Sequence, residues 1–205
     1  MFNSILTIII NVIKYHSLVR RILPLFGLFL FLWSSTPALA AGEIPLSLWS
    51  PEKTDMFVVD VSQNTGYLVH ENGSFLSFPV ATGRKSYVSY IGRYYRAETP
   101  IRTWTAEQKQ IKGDRRTFGV SGRFIRLFRD GENSPYGIHS YFKVADWMKE
   151  DERYFSMGCI VVTEELMDVI ERTYDMTGEK MTVITTNAIQ QTLQAVASKG
   201  NGQKS

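Results

Sequence analysis

The chain has 205 residues, with 23 Lys+Arg, 20 Asp+Glu, three His and one Cys. Hydrophobic residues are 44% and charged residues 21% of it, enough to bury a real core, which excludes a disordered chain. A single Cys excludes an internal disulfide framework and any Cys-cluster zinc site. The length suits one domain with a small appendage.

The formal charge of +3 has a local origin. Residues 1–40 carry Lys14, Arg20 and Arg21 and no acid, while the other 165 residues carry 20 bases and 20 acids. Arg20 and Arg21 precede an apolar run of 12 residues from Ile22 to Trp33, and Ser34 to Pro37 breaks that run. Ala38-Leu39-Ala40 then offers the small-x-small pattern that a signal peptidase reads, with cleavage after Ala40. The run falls short of the roughly 20 residues a spanning helix needs. Ile5 to Ile13 is also apolar, so an uncleaved N-terminal anchor is the alternative. Either form places the body of the protein outside the cytoplasm, in the periplasm or cell envelope. An unpaired Cys in such a compartment is a thiol of interest.

Residues 41–54, with Gly42, Pro45 and Pro51, read as a linker. Met56 to Val61 is β-branched and aromatic and predicts a strand. Gln63 to Gly66 predicts a turn, Tyr67 to His70 a second strand, and Asn72-Gly73 a type I′ hairpin turn. Ser74 to Ala81 predicts a third strand. From Arg84 to Arg129 there are 12 bases against three acids, interleaved with Tyr87, Tyr90, Tyr94, Tyr95 and Trp104. That segment reads either as solvated strand faces or as a surface for carboxylates or an anionic polymer. Export and a neutral mature chain argue against nucleic acid. Phe142 to Tyr154 is partly helical in pattern, and Phe155 to Val162 predicts one apolar strand. Thr163 is placed to cap a helix whose apolar stripe is Leu166, Met167, Val169, Ile170 and Tyr174, with Gly178 at its end. Met181 to Thr185 predicts the last strand, and residues 187–197 a helix before a mobile tail.

The mature chain has two His, His70 and His139, and Cys159. A Cys nucleophile needs a base and donors for the oxyanion it creates. His139 stands 20 residues before Cys159 and can meet it across a hairpin. Gly158 permits a tight turn whose N–H groups face a substrate carbonyl, and Ser156 adds a supporting hydroxyl. The same residues also read as a buried small hydrophobe and a core histidine. A catalytic thiol and a structural one differ in their proton affinity, the first being depressed. His70, beside acids and a turn, reads as a surface residue, and two His without a clustered third ligand predict no metal site.

Tyr136-Gly137-Ile138-His139-Ser140, followed by Ser156-Met157-Gly158-Cys159-Ile160, resembles the active-site signature of the L,D-transpeptidases, the YkuD-like family. Val59-Asp60, Phe78 to Gly83, and Glu98-Thr99-Pro100 with Trp104 occur in the order that family has, so the resemblance covers residues 55–186. It implies a fold that is mainly β with a few helices, a β-sandwich-like catalytic domain. It further implies Cys159 as nucleophile, His139 as general base, and the Ser140 backbone carbonyl orienting the imidazole. Gly158 and Met157 would give the backbone oxyanion hole, supported by Ser156. Tyr136, Trp147 and Tyr154 are candidates to line the substrate groove. The implied partner is the peptidoglycan peptide stem, with no metal, no cofactor, and membrane contact only through an uncleaved leader. The organisation is then a leader over 1–40, a linker over 41–54, the catalytic domain over 55–186 and a C-terminal helix and tail over 187–205.

Three positions depart from that pattern. Met157 stands where a His is usual, Val161 where Arg or Asn is common, and Arg102 where a Gly is usual after Thr-Pro-x. The implied reaction is therefore stem cross-linking or remodelling through a Cys thioester, with an L,D-carboxypeptidase or hydrolase as the nearest alternative. A catalytically silent cell-wall-binding domain is the alternative from another class.

Overall fold

A computed structural model describes residues 42–90 and 92–202 of the chain. The leader expected over 1–40 lies outside the described residues. Among the described residues, no helix is long and apolar enough to cross a membrane.

The β-branched and aromatic runs pair as predicted. β1 (Met56–Asp60), β2 (Thr65–Val69) and β3 (Phe75–Pro79) form an antiparallel meander. The β2–β3 turn is not of type I′: Gly73 has φ +86°, but Asn72 is not among the positive-φ residues. Its side chain instead accepts from Ser74 N at 2.9 Å, while Gly73 N donates to His70 O at 2.9 Å. Two-residue β4 (Thr82–Gly83) and the hairpin β5 (Tyr87–Tyr90) and β6 (Arg93–Arg96) come next. The long β7 (Arg102–Ile111), a helical turn α1 (Arg115–Phe118), β8 (Arg123–Arg129) and β9 (Glu132–His139) follow. The chain closes with α2 (Val144–Trp147), β10 (Tyr154–Ser156), β11 (Ile160–Val161), α3 (Glu164–Met176), β12 (Met181–Thr186) and α4 (Ile189–Gly202).

Eight strands make one mixed sheet in the order β11-β9-β8-β7-β12-β1-β2-β3, with β1–β12 and β9–β11 parallel. A single core cluster draws Phe57, Val59, Leu68 and Phe78 from one end of the sheet. It draws Ile125, Leu127, Ile138 and Ile160 from the other, with Leu166, Met167 and Ile170 of α3. The protein is thus mainly β with a few helices, as expected. α4 covers a second, smaller cluster around Val58, Val69 and Val196.

The segment 42–54 is packed rather than a free linker. Ile44 N donates to Phe75 O and Phe75 N to Gly42 O, which closes the β3 edge. Trp49 is buried and stacks on His70 with centroids 4.0 Å apart. His70 is therefore not a surface residue. It is buried, and its Nδ1 meets Asp55 Oδ1 at 2.6 Å.

α3 starts where predicted, because Thr163 Oγ1 accepts from Leu166 N, and Gly178 at φ +76° ends it. Its outer face gathers the bases of β7 and β8. Arg123 meets Glu164 at 3.0 Å, Glu171 at 2.8 Å and Asp168, and Lys109 meets Glu171 at 2.8 Å and Asp175 at 2.9 Å. Burial raises Glu164 and Glu171, but hydrogen bonds outweigh it and hold both below the usual carboxylate range; Ser121 and Arg123 act on Glu164, Lys109 and Arg123 on Glu171. This stabilisation is present above the ordinary Glu value of 4.5 and is lost as pH falls through the depressed values. Arg123 is only 13% exposed, and its loss leaves three carboxylates facing one another. Arg123→Ala is expected to cost about 2 kcal/mol, below the value for a fully buried pair because the acids are partly solvated. Urea denaturation at neutral pH checks this, and repetition below the carboxylate range should find the difference diminished.

Candidate active site

Strand alternation sets the faces of β8, β9 and β11. Ile125, Ile138 and Ile160 lie side by side across β8, β9 and β11 and point into the core. Their strand neighbours Phe124 and Arg126, Gly137 and His139, and Val161 therefore point to the opposite face, and Cys159, in the bend just before β11, has the Gly137 N–H beside its thiol. The expected strand from Phe155 to Val162 is interrupted to make this possible. β10 pairs with β4 and β11 with β9, and Met157, Gly158 and Cys159 form a bend between them.

That bend is held from several sides. Gly158 has φ +114°, a conformation that suits glycine, and the Tyr136 ring lies where its Cβ would be. Ser156 Oγ accepts from Gly158 N at 3.1 Å and donates to Cys159 O at 2.6 Å. Thr99 Oγ1 donates to Gly158 O at 3.0 Å and accepts from Gly83 N at 2.9 Å, and Tyr95 OH donates to Met157 O at 3.2 Å. The Gly158 N–H is thus committed to Ser156 and is not free for an oxyanion, contrary to the sequence expectation. Among the described residues, no hydrogen bond takes up the N–H of Met157 or of Cys159.

His139 is buried on β9, with Phe118 and Phe124 against its ring at centroid distances of 5.1 and 5.9 Å. Its Nδ1 lies 2.6 Å from Ser140 O. A carbonyl only accepts, so Nδ1 carries the proton and Nε2 keeps a lone pair. Burial lowers the proton affinity of the imidazole, and the carbonyls of Ser140 and Thr117 oppose this only in part. The ring is neutral at pH 7.

The Cys159 thiol is pushed up to about 11 by burial, against the Gly137 N–H and the charge of Arg126, which pull it down. Cys159 itself is half-buried. Among the described residues, no hydrogen bond joins His139 to Cys159.

The three groove candidates separate. Tyr136 stands between two cavities. One, of about 580 Å³, also takes Arg102, Trp104 and Ser134, and the other, of about 470 Å³, takes Thr82, Lys85 and Tyr154. Trp147 stacks on Tyr141 at 4.2 Å and lies tilted against Phe155 at 5.1 Å, as part of a small cluster over Val161. Cys159 lines neither cavity.

Thr99, Tyr95, Arg126 and Phe124 were not singled out for this site. Glu98-Thr99-Pro100 carried a signal for Thr99, but the other three needed the strand pairing. Glu52, Asp55 and His70 also bring ligand-type atoms within 4.8 Å of one another. Two of these atoms are engaged within the cluster: His70 Nδ1 meets Asp55 Oδ1, and Asp55 Oδ2 accepts from Glu52 N at 2.8 Å.

The family model YkuD, L,D-transpeptidase catalytic domain, matches residues 54–184. No curated protein sequence matches the chain. An L,D-transpeptidase structure (residues 123-326) from Xylanimonas cellulosilytica is 17% identical with a TM-score of 0.48, over 67% of this chain and 62% of that one. An L,D-transpeptidase from Mycobacterium smegmatis is 20% identical with a TM-score of 0.45, over 65% and 58%. The C442S mutant of the Enterococcus faecium L,D-transpeptidase is 14% identical with a TM-score of 0.42, over 66% and 50%. The chain spans less than two thirds of the length of each of these structures.

Proposed function

The chain belongs to the L,D-transpeptidase catalytic-domain family, and from that premise we propose that it is an exported cysteine acyl-transferase acting on peptidoglycan peptide stems. Cys159 Sγ attacks the carbonyl carbon between the L-centre of the diamino acid and the terminal D-alanine. The thiol proton passes to His139 Nε2 and from there to the departing D-alanine amine, so the amide breaks as the thioester forms. An amine of a second stem then takes the acyl group and returns the thiol. With water as acceptor the same steps give an L,D-carboxypeptidase. The N–H groups of Met157 and Cys159 receive the oxyanion, and Ser156 holds the bend that presents them. Residues 1–40 supply export to the periplasm or envelope.

What supports this reading is that Cys159 stands one residue before β11, which pairs with β9 where His139 lies, and that His139 Nδ1 is fixed on Ser140 O at 2.6 Å. A loose dyad is ordinary without substrate, since such contacts tighten in the complex. The elevated Cys159 thiol favours one other reading, a silent wall-binding module.

Incubation with disaccharide-tetrapeptide muropeptides, read by mass spectrometry beside Cys159→Ala, tests both. Loss of D-alanine with a new dimer mass, absent in the variant, is the expected result. Loss of D-alanine without dimer selects hydrolysis. No product with retained binding to sacculi selects the binding module.

A further inference from the structure

The basic segment divides sharply by partner. Lys109 and Arg123 are committed to the acids of α3, Arg96 to Glu98 and Arg129 to Asp130. Arg126 is different. Among the described residues no carboxylate lies within 4 Å of it. One Nη donates to Ser134 O at 2.6 Å, which fixes the side chain. Among the described residues its other guanidinium nitrogens have no acceptor, and they are not sealed from water. Its cationic carbon stands 5.0 Å from the centroid of the Phe124 ring, and Lys112 Nζ stands 5.3 Å from the same ring, again with no carboxylate. Two cations without counter-ions thus lie near one aromatic ring, with Cys159 beside the neighbouring Gly137.

Register fixes where Arg126 points. It lies opposite Gly137 on β9, and Cys159 comes one residue before the Ile160–Ile138 pair. Arg126, Gly137 and Cys159 therefore form a row across neighbouring strands, about two strand spacings or roughly 10 Å between the outer Cα atoms. The middle member has no side chain, and the tip of the Phe124 ring takes the place of its Cβ. The floor between cation and thiol is apolar, which strengthens the field that crosses it. The charge of Arg126 reaches the Cys159 thiol.

We propose that Arg126 is the carboxylate-binding residue of the donor site, holding the terminal carboxylate of the D-alanine that leaves when Cys159 attacks. This rests on the stem-peptide reading above. In that substrate the carboxylate carbon is three bonds from the scissile carbonyl, within roughly 4 Å of it. Its partner must therefore stand beside the nucleophile and offer unused donors. A guanidinium with one arm anchored and the others open meets both needs, and it matches a carboxylate's two oxygens.

The test measures binding in the full-length Cys159→Ala protein, where turnover is blocked. Two probes are used by calorimetry: the tetrapeptide stem, and the same peptide ending in a carboxamide. The carboxylate form should bind at least tenfold more tightly. Adding Arg126→Gln should remove that preference and leave the carboxamide affinity unchanged, and Arg126→Lys, which keeps the charge and loses the fork, should retain part of it. A preference that survives Arg126→Gln, equal binding of the two peptides, or no binding overturns the proposal. An Arg126-dependent preference in a protein whose Cys159 form yields no muropeptide product leaves this proposal standing and sinks the catalytic reading instead.

Discussion

His139→Gln should slow acyl transfer at neutral pH by roughly 10²–10⁴-fold, the range of a positioned general base, while alkylation of Cys159 at high pH continues unchanged. The reason is the resting state of the thiol. Pushed up to about 11 by burial, it is held mainly as the neutral thiol at pH 7. A preformed anion cannot then sustain turnover, and the proton must leave as sulfur attacks carbon. In the proposed mechanism the neutral imidazole held by Ser140 takes it. Iodoacetamide needs only thiolate, so its rate should climb with pH towards about 11 with or without His139. The two shifts also contribute to the stability profile, beside the acid-side loss from Glu164 and Glu171. The raised Cys159 contributes stability fully present below the ordinary thiol value of 9.0 and lost as pH rises through about 11. The lowered His139 contributes stability present above 6.5 and lost as pH falls through its depressed value. His139→Gln should therefore flatten the acid limb alone. Equal muropeptide turnover by the variant and the natural protein would remove His139 from the mechanism. Rapid alkylation at pH 7 that depends on His139 would show an ion-paired dyad instead.

Much of this site was legible in the sequence, for reasons of period and chemistry. Alternation and β-branching marked the meander from Met56 to Pro79, and Thr163 with two acids behind it marked the start of α3. The resemblance in the segments around His139 and Cys159 singled out the two residues, and the structure brings their segments to neighbouring strands β9 and β11. What failed was tertiary in origin. Phe155 to Val162 is apolar throughout, and nothing local says that its two halves pair with different strands. His70 looked solvated because its neighbours are polar, yet Trp49, 21 residues away, covers it. The bases from Arg84 to Arg129 looked alike as a charge run. Only the packing of α3 separates Arg123, which meets three carboxylates, from Arg126, which meets none among the described residues.

Gly158→Ala should cost both stability and activity, because two independent obstacles meet at one atom. The backbone there has φ +114°, and holding an alanine in such a region costs about 1–3 kcal/mol. The new Cβ would also lie 2.3 Å from the Tyr136 ring, which is held in turn by an edge contact with Trp104. The bend can relieve both only by rotating its peptide units. Doing so pulls Gly158 O from Thr99 and Gly158 N from Ser156, and it turns away the Met157 and Cys159 N–H groups beside the thiol. A displacement near 1 Å at a reacting group is worth roughly 10²-fold in rate. Acyl transfer should therefore fall by at least about 10²-fold, with a lower urea midpoint. Gly178→Ala supplies the comparison. Its φ of +76° is also left-handed, but no atom lies within 4 Å of the added Cβ, and it sits at the end of α3. It should cost about 1 kcal/mol and leave turnover unchanged. Two variants with the same stability loss and the same residual activity would show that general unfolding, not the geometry of the Cys159 bend, limits catalysis.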